Sequence, residues 1–376
     1  MAADGVVKRR ALGLLARAGI EVGGSRPHDV AVHDERVYRA LALRGALGAG
    51  EAYMDGWWDS PRLDEMTHRL MVAAGHPRPA LPDLMLRLHA RLVNRQKPSR
   101  AFKVGRHHYD IGNDLYERML DRRMVYSCGY WRRADGLDAA QEAKLDLVCR
   151  KLGLEPGMRV LDIGCGWGSF AAYAAEKHGA HVTGITVSRA QAELATERCA
   201  GLPVDIHVRD YRTIAARPER YDCIVSIGML EHVGWRNYRG YMQACHSALR
   251  DGGLMLLHCI TVPRSQVATD AWTERYIFPN SHLPSMAQLG SASDGLFQLE
   301  DLHGFGADYD PTLLAWHANV ERHWHELAGS YGERFRRMWR YYLLTSAGSF
   351  RARVLQVWQM VFAKDRGVPG GYFPVR

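Results

Sequence analysis

Val160-Leu-Asp162-Ile-Gly164-Cys165-Gly166-Trp167-Gly168 is the stretch whose reading decides the fold. Arg159 to Ile163 has the apolar run of a buried strand, and it empties into a glycine-rich turn ahead of a helix spanning Ser169 to Lys177. Such a turn lets a ligand approach the backbone closely and meet the helix N-terminus. Reading outward, His181 to Thr186 forms a second strand, Ser188 to Cys199 a helix, Asp205 to Arg209 a third strand, Cys223 to Ile227 a fourth and Leu254 to His258 a fifth. Strands alternating with short helices specify an α/β fold with a doubly wound parallel sheet. Beyond Pro263 the chain reads as mostly helical and rich in aromatics, from Trp272 to Phe362.

The remaining composition narrows the class. The chain has 376 residues, 47% hydrophobic and 24% charged, which excludes disordered, collagenous and disulfide-scaffold classes. No apolar run approaches the roughly 18 to 20 residues of a transmembrane helix. The N-terminus lacks the basic-then-apolar order of a secretory signal, so a soluble, cytoplasmic protein is expected. Lys and Arg number 49 against 41 acids, a net +8 that suits an anionic partner: nucleic acid, a phosphate ligand or an anionic bilayer. The seven cysteines are odd in number and form no CxxC, arguing against disulfides and structural zinc. His107 and His108 are adjacent, so their side chains diverge, and no metal site is expected.

Gly75 to Pro82, with three prolines, marks a connection after a first region at 1–75. The spacing predicts a helix from Asp83 to about Arg95, with Leu84, Leu88 and Leu92 in one row and Arg87, Arg91 and Arg95 in a neighbouring one. Between Arg78 and Arg106 stand eight Lys or Arg and one acid, Asp83. The leucines either pack on protein, leaving a solvated basic flank, or lie on an anionic membrane; both hold if leucines pack while arginines touch phosphates. Arg334, Arg336, Arg337 and Arg340 pose the same alternative between lipid head groups and a solvated face.

The glycine spacing is GxGxG, without the later glycine and downstream acid of a dinucleotide-binding turn; Thr186 stands where that acid belongs. Asp162 with Gly164, Gly166 and Gly168 resembles motif I of S-adenosylmethionine-dependent methyltransferases, a Rossmann-like fold in which this turn takes the methionine part of the cofactor. Thr186 and Gln191 are placed to meet the ribose, and Asp210, Tyr211 and Arg212 follow the third strand, where such enzymes grip adenine. At the fourth strand end, Glu231-His232 replaces the Asn/Asp-Pro-Pro-aromatic element of nucleic-acid amino methyltransferases. That argues against a nucleic-acid substrate. His258 closes the fifth strand beside it.

A wider constellation then falls into order: Glu51 to Trp58, His108 to Asp114, Tyr126-Ser127-Cys128-Gly-Tyr-Trp131, the glycine turn, Glu231 to Gly234, Ile277-Phe-Pro279, Leu283-Pro-Ser285, Phe305 to Tyr309 and Phe350-Arg-Ala-Arg353. Together they resemble the cyclopropane-fatty-acyl-phospholipid synthase family, which includes the mycolic acid cyclopropane synthases, from about residue 10 to 362. The N-terminal segment favours the phospholipid-acting branch. The resemblance implies methylene transfer from S-adenosylmethionine to a cis double bond of a phospholipid acyl chain, through a carbocation that a bound bicarbonate deprotonates. By carry-over, Cys128, Glu231, His258, Ile260 (through its backbone) and Tyr309 hold the bicarbonate. Tyr126, Ser127, Gly164, Cys165, Gly166, Thr186 to Gln191, Tyr211 and Arg212 line the cofactor site. Without it, Cys128 and His258 would read as ordinary core residues. It further implies a homodimer at the cytoplasmic membrane face, divided into a small N-terminal domain (1–75) for dimer or membrane contacts, a linker with a basic amphipathic helix (76–104) and a catalytic domain with a helical acyl-binding cap (105–376). One position departs: Ser346 stands where some members carry a cysteine, and serine cannot act as a thiolate. A methyl-branching relative remains the first alternative, and a nucleic-acid methyltransferase using the basic connection the second.

Overall fold

The computed structural model describes residues 2–75, 80–96, 112–216, 220–365, 367–368 and 370–376, with side chains from residue 7 onward. Much of the connection at 76–104, the adjacent His107 and His108, and His108 to Ile111 of the matched constellation lie outside the described residues. The chain forms two compact units. One comprises residues 1–94, 267–279 and 309–355; the other comprises 95–266, 280–308 and 356–376. Packing therefore cuts the chain at other places than composition does.

The strands in chain order are β1 (Ala31–Val32), β2 (Trp58–Asp59), β3 (Arg159–Ile163), β4 (His181–Thr186), β5 (Val204–Val208), β6 (Tyr221–Ile227), β7 (Leu249–Thr261), β8 (Phe297–Gly304) and β9 (Gln356–Lys364). In the second unit, β3 to β9 make one seven-stranded sheet in the order β5-β4-β3-β6-β7-β9-β8. The pairs among β3, β4, β5, β6 and β7 are parallel, while β9 is antiparallel to both β7 and β8. β3 and β4 match the sequence reading residue for residue, because strands buried on both faces are near-continuous apolar runs. Alternate residues feed the two faces: Leu161, Ile163, Ile224, Met255 and Leu257 enter one core, and Val160, Cys223, Val225 and Leu256 the other. β8 and β9 correct the expectation of a mostly helical region after Pro263; the helices are present there, but two antiparallel strands extend the sheet.

The first unit is helical, with the small β1–β2 pair. Helices Arg36–Met54 and Leu63–Ala74 share a core with Tyr53, Trp58 and Leu344. Gly348 lets the helix Glu333–Arg351 approach closely, since a Cβ there would lie 2.3 Å from the Asp64 carbonyl oxygen. Arg351 then meets Asp64, Glu65 and Asp310. Three arginines of that cluster have partners within this unit. Arg334 pairs with Asp55, Arg336 with Glu321, and Arg337 with Asp59 and the Tyr53 and Trp58 carbonyls. The helix Leu81–Leu92 also corrects one reading: Leu84, Leu88 and Leu92 are 50%, 59% and 74% exposed, so this row does not pack on protein.

Candidate active site

The site lies in the second unit, at the carboxyl ends of the strands, where open α/β sheets hold ligands. After β3 the chain turns sharply with Gly164, Gly166 and Gly168 all at positive φ (83°, 55° and 79°). Side chains avoid that conformation. At Gly164 a Cβ would also strike Met229 at 2.7 Å. The turn hangs from the end of β4, with the Gly164 and Cys165 N–H groups both donating to the Ile185 carbonyl. The result is a pocket lined by Met124–Ser127, Lys144, Asp162, Gly164–Trp167, Gln191 and Gly228, among others. Its lining includes Tyr126, Ser127, Gly164, Cys165, Gly166 and Gln191 of the sequence-predicted cofactor set.

Thr186 supports that pocket indirectly, its hydroxyl donating to Gln191 Oε1 at 2.8 Å. The group after β5 has a different disposition. Both Asp210 oxygens are engaged by Arg212, through its backbone N–H (2.9 Å) and Nη1 (2.7 Å). The Arg212 guanidinium lies over Tyr211, and the buried Tyr211 ring meets Tyr241 edge-on at 5.0 Å. Asp210 thus holds Arg212 with one acceptor position on each carboxylate oxygen. Tyr211 and Arg212 line a separate depression with Arg236 and Asn237.

On the acceptor side, β6 and β7 bring Glu231 and His258 to neighbouring strand ends, with Ile227 in register with His258. Glu231 follows on a short 3-10 turn, and its Oε1 accepts the Ile260 N–H at 2.7 Å. The Ile260 amide is therefore committed to Glu231. Glu231 Oε2 is buried with no hydrogen-bond partner among the described residues. Burial pushes the Glu231 carboxyl up to about 7 and holds His258 well below the usual imidazole range. Gln359 of β9, directly opposite His258, lies 3.4 Å from its Nδ1. Two residues apart on β7, His258 and Ile260 share a face, while Cys259 points into the opposite core. Cys128 is fully buried on the segment after Tyr126 and Ser127. In the same unit the Trp131 N–H donates to Asp308 at 2.7 Å, tying the Tyr126–Trp131 motif to the Phe305–Tyr309 motif. Tyr309 itself belongs to the other unit, where its ring stacks on Phe350 with centroids 4.4 Å apart. Ser346 is half-buried on the helix Glu333–Arg351, also in that unit.

Sequence reasoning missed Gln141, Lys144 and Gln359. Gln141 and Lys144 are fully buried on the helix Leu137–Lys151, and both bond to Ser127. A signal existed: both occupy the apolar face marked by Ala140, Leu147 and Val148. Among the described residues no cluster of metal-ligating side chains occurs, and no helix is long and apolar enough to cross a membrane.

Comparison with known proteins agrees with this architecture. The family model described as mycolic acid cyclopropane synthetase matches residues 96–360. The chain is 47% identical to the cyclopropane-fatty-acyl-phospholipid synthase of Escherichia coli (strain K12), over 95% of this chain and 93% of that one. It is 32% identical to a tuberculostearic acid methyltransferase of Mycobacterium tuberculosis (strain ATCC 25618 / H37Rv), over 87% of this chain and 81% of that one. Among solved structures, a cyclopropane synthase from Mycobacterium tuberculosis aligns with TM-score 0.65 and 30% identity, covering 70% of this chain and 98% of that one. A mycolic acid cyclopropane synthase complexed with SAH and CTAB aligns with the same TM-score and 31% identity, covering the same shares. The chain, with its glycine cradle and the Glu231–Ile260–His258 strand ends, belongs to the mycolic acid cyclopropane synthetase family.

Proposed function

We propose that this protein transfers a methylene group from S-adenosylmethionine to the cis double bond of unsaturated phospholipid acyl chains, as a cyclopropane-fatty-acyl-phospholipid synthase. The observation that carries the reading is the likeness to a synthase of that name over 95% of the chain. The cradle at Gly164–Gly168 and the unpartnered carboxyl oxygen of Glu231 support it from the side of the chemistry.

S-adenosylmethionine is a substrate here. The alkene π electrons attack the sulfonium methyl and the C–S bond breaks, leaving S-adenosylhomocysteine and a carbocation on the acyl chain. A proton then leaves the transferred methyl, and the freed C–H electron pair closes the ring. Products are the cyclopropane chain, S-adenosylhomocysteine and one proton. The residues suit this sequence. Glu231, with its carboxyl near 7, carries a proton for much of the time at neutral pH and offers Oε2–H as a donor. His258 is held neutral by burial and is positioned by Gln359. A protonated Glu231 attracts an anion where a carboxylate would repel it. Bicarbonate fits that donor set: Cys128, Glu231 and His258 are the residues of this unit that would hold it, and when bound it supplies the base for the departing proton.

The acyl chains sit in a bilayer, and the helix Leu81–Leu92 is the element we assign to it. Leu81, Leu84, Met85, Leu88 and Leu92 follow the spacing of one helical face, and all are at least half exposed. The basic excess between Arg78 and Arg106 complements an anionic lipid surface. This gives the N-terminal region a docking role. Light scattering tests the homodimer that the family resemblance implies.

The activity is tested by incubating purified protein with S-adenosylmethionine and vesicles of an anionic phospholipid bearing cis-monoenoic chains. Chains one CH2 heavier, with cyclopropane ring-methylene signals by NMR, are expected. An isomeric methyl-branched alkene without ring signals would place the protein with methyl-branching relatives. Unmodified lipid, from protein that binds S-adenosylhomocysteine, would overturn the reading.

A further inference from the structure

Lys144 is fully buried. Its Nζ makes one hydrogen bond among the described residues, to Ser127 Oγ at 2.8 Å. Among the described residues the acids that act on it, Asp121 and Asp162, do so through charge and not through a hydrogen bond. An ammonium carries three donors and accepts nothing. Two donors are therefore unspent in a site where leaving charge uncompensated costs several kcal/mol. Of those acids, Asp121 has oxygens that accept the Arg123 and Val125 N–H groups, and Asp162 has its Oδ2 buried with no hydrogen-bond partner among the described residues. Burial draws Lys144 down to about 8 and pushes Asp162 up to about 7. Packing alone does not explain such a group, because a methionine would fill the same volume at no electrostatic cost.

Lys144, Ser127 and Asp162 all line the pocket beside the glycine turn. The geometry around Ser127 has one direction. Its backbone carbonyl accepts from Gln141 Nε2 at 2.8 Å, which fixes the residue, and its Oγ accepts from Lys144. The serine's own hydrogen is then free to donate, so its hydroxyl presents a donor to the pocket. We propose that Lys144 is a positioning residue that locks Ser127 as a donor and, with its own charge, makes this end of the pocket select the carboxylate of the amino-acid part of S-adenosylmethionine. Asp162, an acceptor when ionised, gives the pocket its opposite polarity, so a zwitterionic amino acid has one favoured orientation. The inference rests on the reading that this pocket takes S-adenosylmethionine.

Calorimetry with two ligands tests it: S-adenosylhomocysteine and its analogue lacking the carboxylate. Wild-type protein is expected to favour S-adenosylhomocysteine by about 10-fold or more, the range of a hydrogen bond to a charged group. Lys144→Met is expected to lose about 10-fold or more in affinity for S-adenosylhomocysteine while binding the analogue within about 3-fold of wild type, collapsing the preference. Its ligand-free melting temperature is expected to match or exceed that of wild type, as for replacement of a buried charge by an isosteric apolar group. Ser127→Ala should reduce the same preference, and the double variant should bind S-adenosylhomocysteine no more weakly than Lys144→Met alone, because the hydroxyl is locked as a donor only while Lys144 is present. A Lys144→Met protein that keeps the wild-type preference overturns the inference. Should Lys144→Met fail to fold, Ser127→Ala decides: a retained preference overturns it equally. Wild-type protein that binds neither ligand overturns the pocket reading and this inference together, whereas wild-type protein that binds both equally overturns this inference alone.

Discussion

The pocket beside Gly164–Gly168 buries Lys144 and Asp162, with Glu231 buried at the strand ends of the same unit, whereas the helix Leu81–Leu92 holds Leu81, Leu84, Met85, Leu88 and Leu92 in solvent. Each region inverts the usual sorting of side chains, in opposite senses. Buried charges raise the free energy of an empty site and are recovered when a charged ligand completes it. Exposed apolar area does the same for a surface and is recovered when another apolar phase covers it. Under the proposed function, the comparison assigns one departure to a small zwitterion and the other to a lipid surface. In that proposal the chemistry at Glu231 and His258 joins the two substrates.

The largest expected effect separates chemistry from binding. Glu231→Ala and His258→Ala should each lower turnover by about 100-fold or more, the scale of a lost acid–base group. Affinity for S-adenosylhomocysteine should stay within a few-fold, as read by calorimetry; full activity in both would remove these residues from the mechanism. Next comes the outer region. Replacing Leu84, Leu88 and Leu92 together by serine should weaken binding to anionic vesicles by about 100-fold or more, at roughly 1 kcal/mol or more per leucine. S-adenosylhomocysteine binding should not change. Unaltered vesicle co-sedimentation, combined with loss of a dimer on light scattering, would transfer this face to a second copy of the chain.

Smaller effects sharpen the inner region. Gly164→Ala forces a Cβ into a positive φ and against Met229, and should cost about 1–3 kcal/mol in thermal unfolding along with cofactor affinity. Glu231 provides a test by pH. Its folded pKa is raised from 4.5 to about 7, so its contribution to stability is fully present below about 4.5 and is lost as pH rises through about 7. Glu231→Gln does not titrate. The stability difference should therefore move in favour of the variant between pH 5 and 8, by about 1–3 kcal/mol, as followed by denaturant unfolding. A pH-independent difference would mean that Glu231 is solvated.

Legibility in the sequence tracked the strength of the local pattern. β3 and β4 were readable to the residue because their neighbours bury both faces. β9 is equally apolar, with Val357, Trp358, Val361 and Phe362, but it follows the long helix Glu333–Arg351 and pairs antiparallel, so the alternation that revealed the other strands gave no cue. β8 carries Gln298, Glu300, Asp301 and His303 and lies at the sheet edge, where no second buried face enforces an apolar run. The glycine cradle was legible because positive φ leaves its mark on residue type. Lys144 was not, since a lysine on a helix ordinarily signals solvent, and only the apolar phase of its neighbours contradicts that. The leucine row was visible as a row, but spacing does not say what covers it, and structure was needed to find it bare. The pairings of Arg334 and Arg337 were not legible because their acidic partners, Asp55 and Asp59, come from remote sequence.

The most direct test of methyl transfer to an alkene followed by proton loss is an isotopic one. A host making this protein is fed methionine with a fully deuterated methyl group, and its membrane acyl chains are analysed by mass spectrometry and NMR. Ring closure predicts modified chains that keep two of the three deuterons, in a cyclopropane methylene. Chains that keep all three, or the absence of labelled lipid where the protein is soluble and binds S-adenosylhomocysteine, would contradict it.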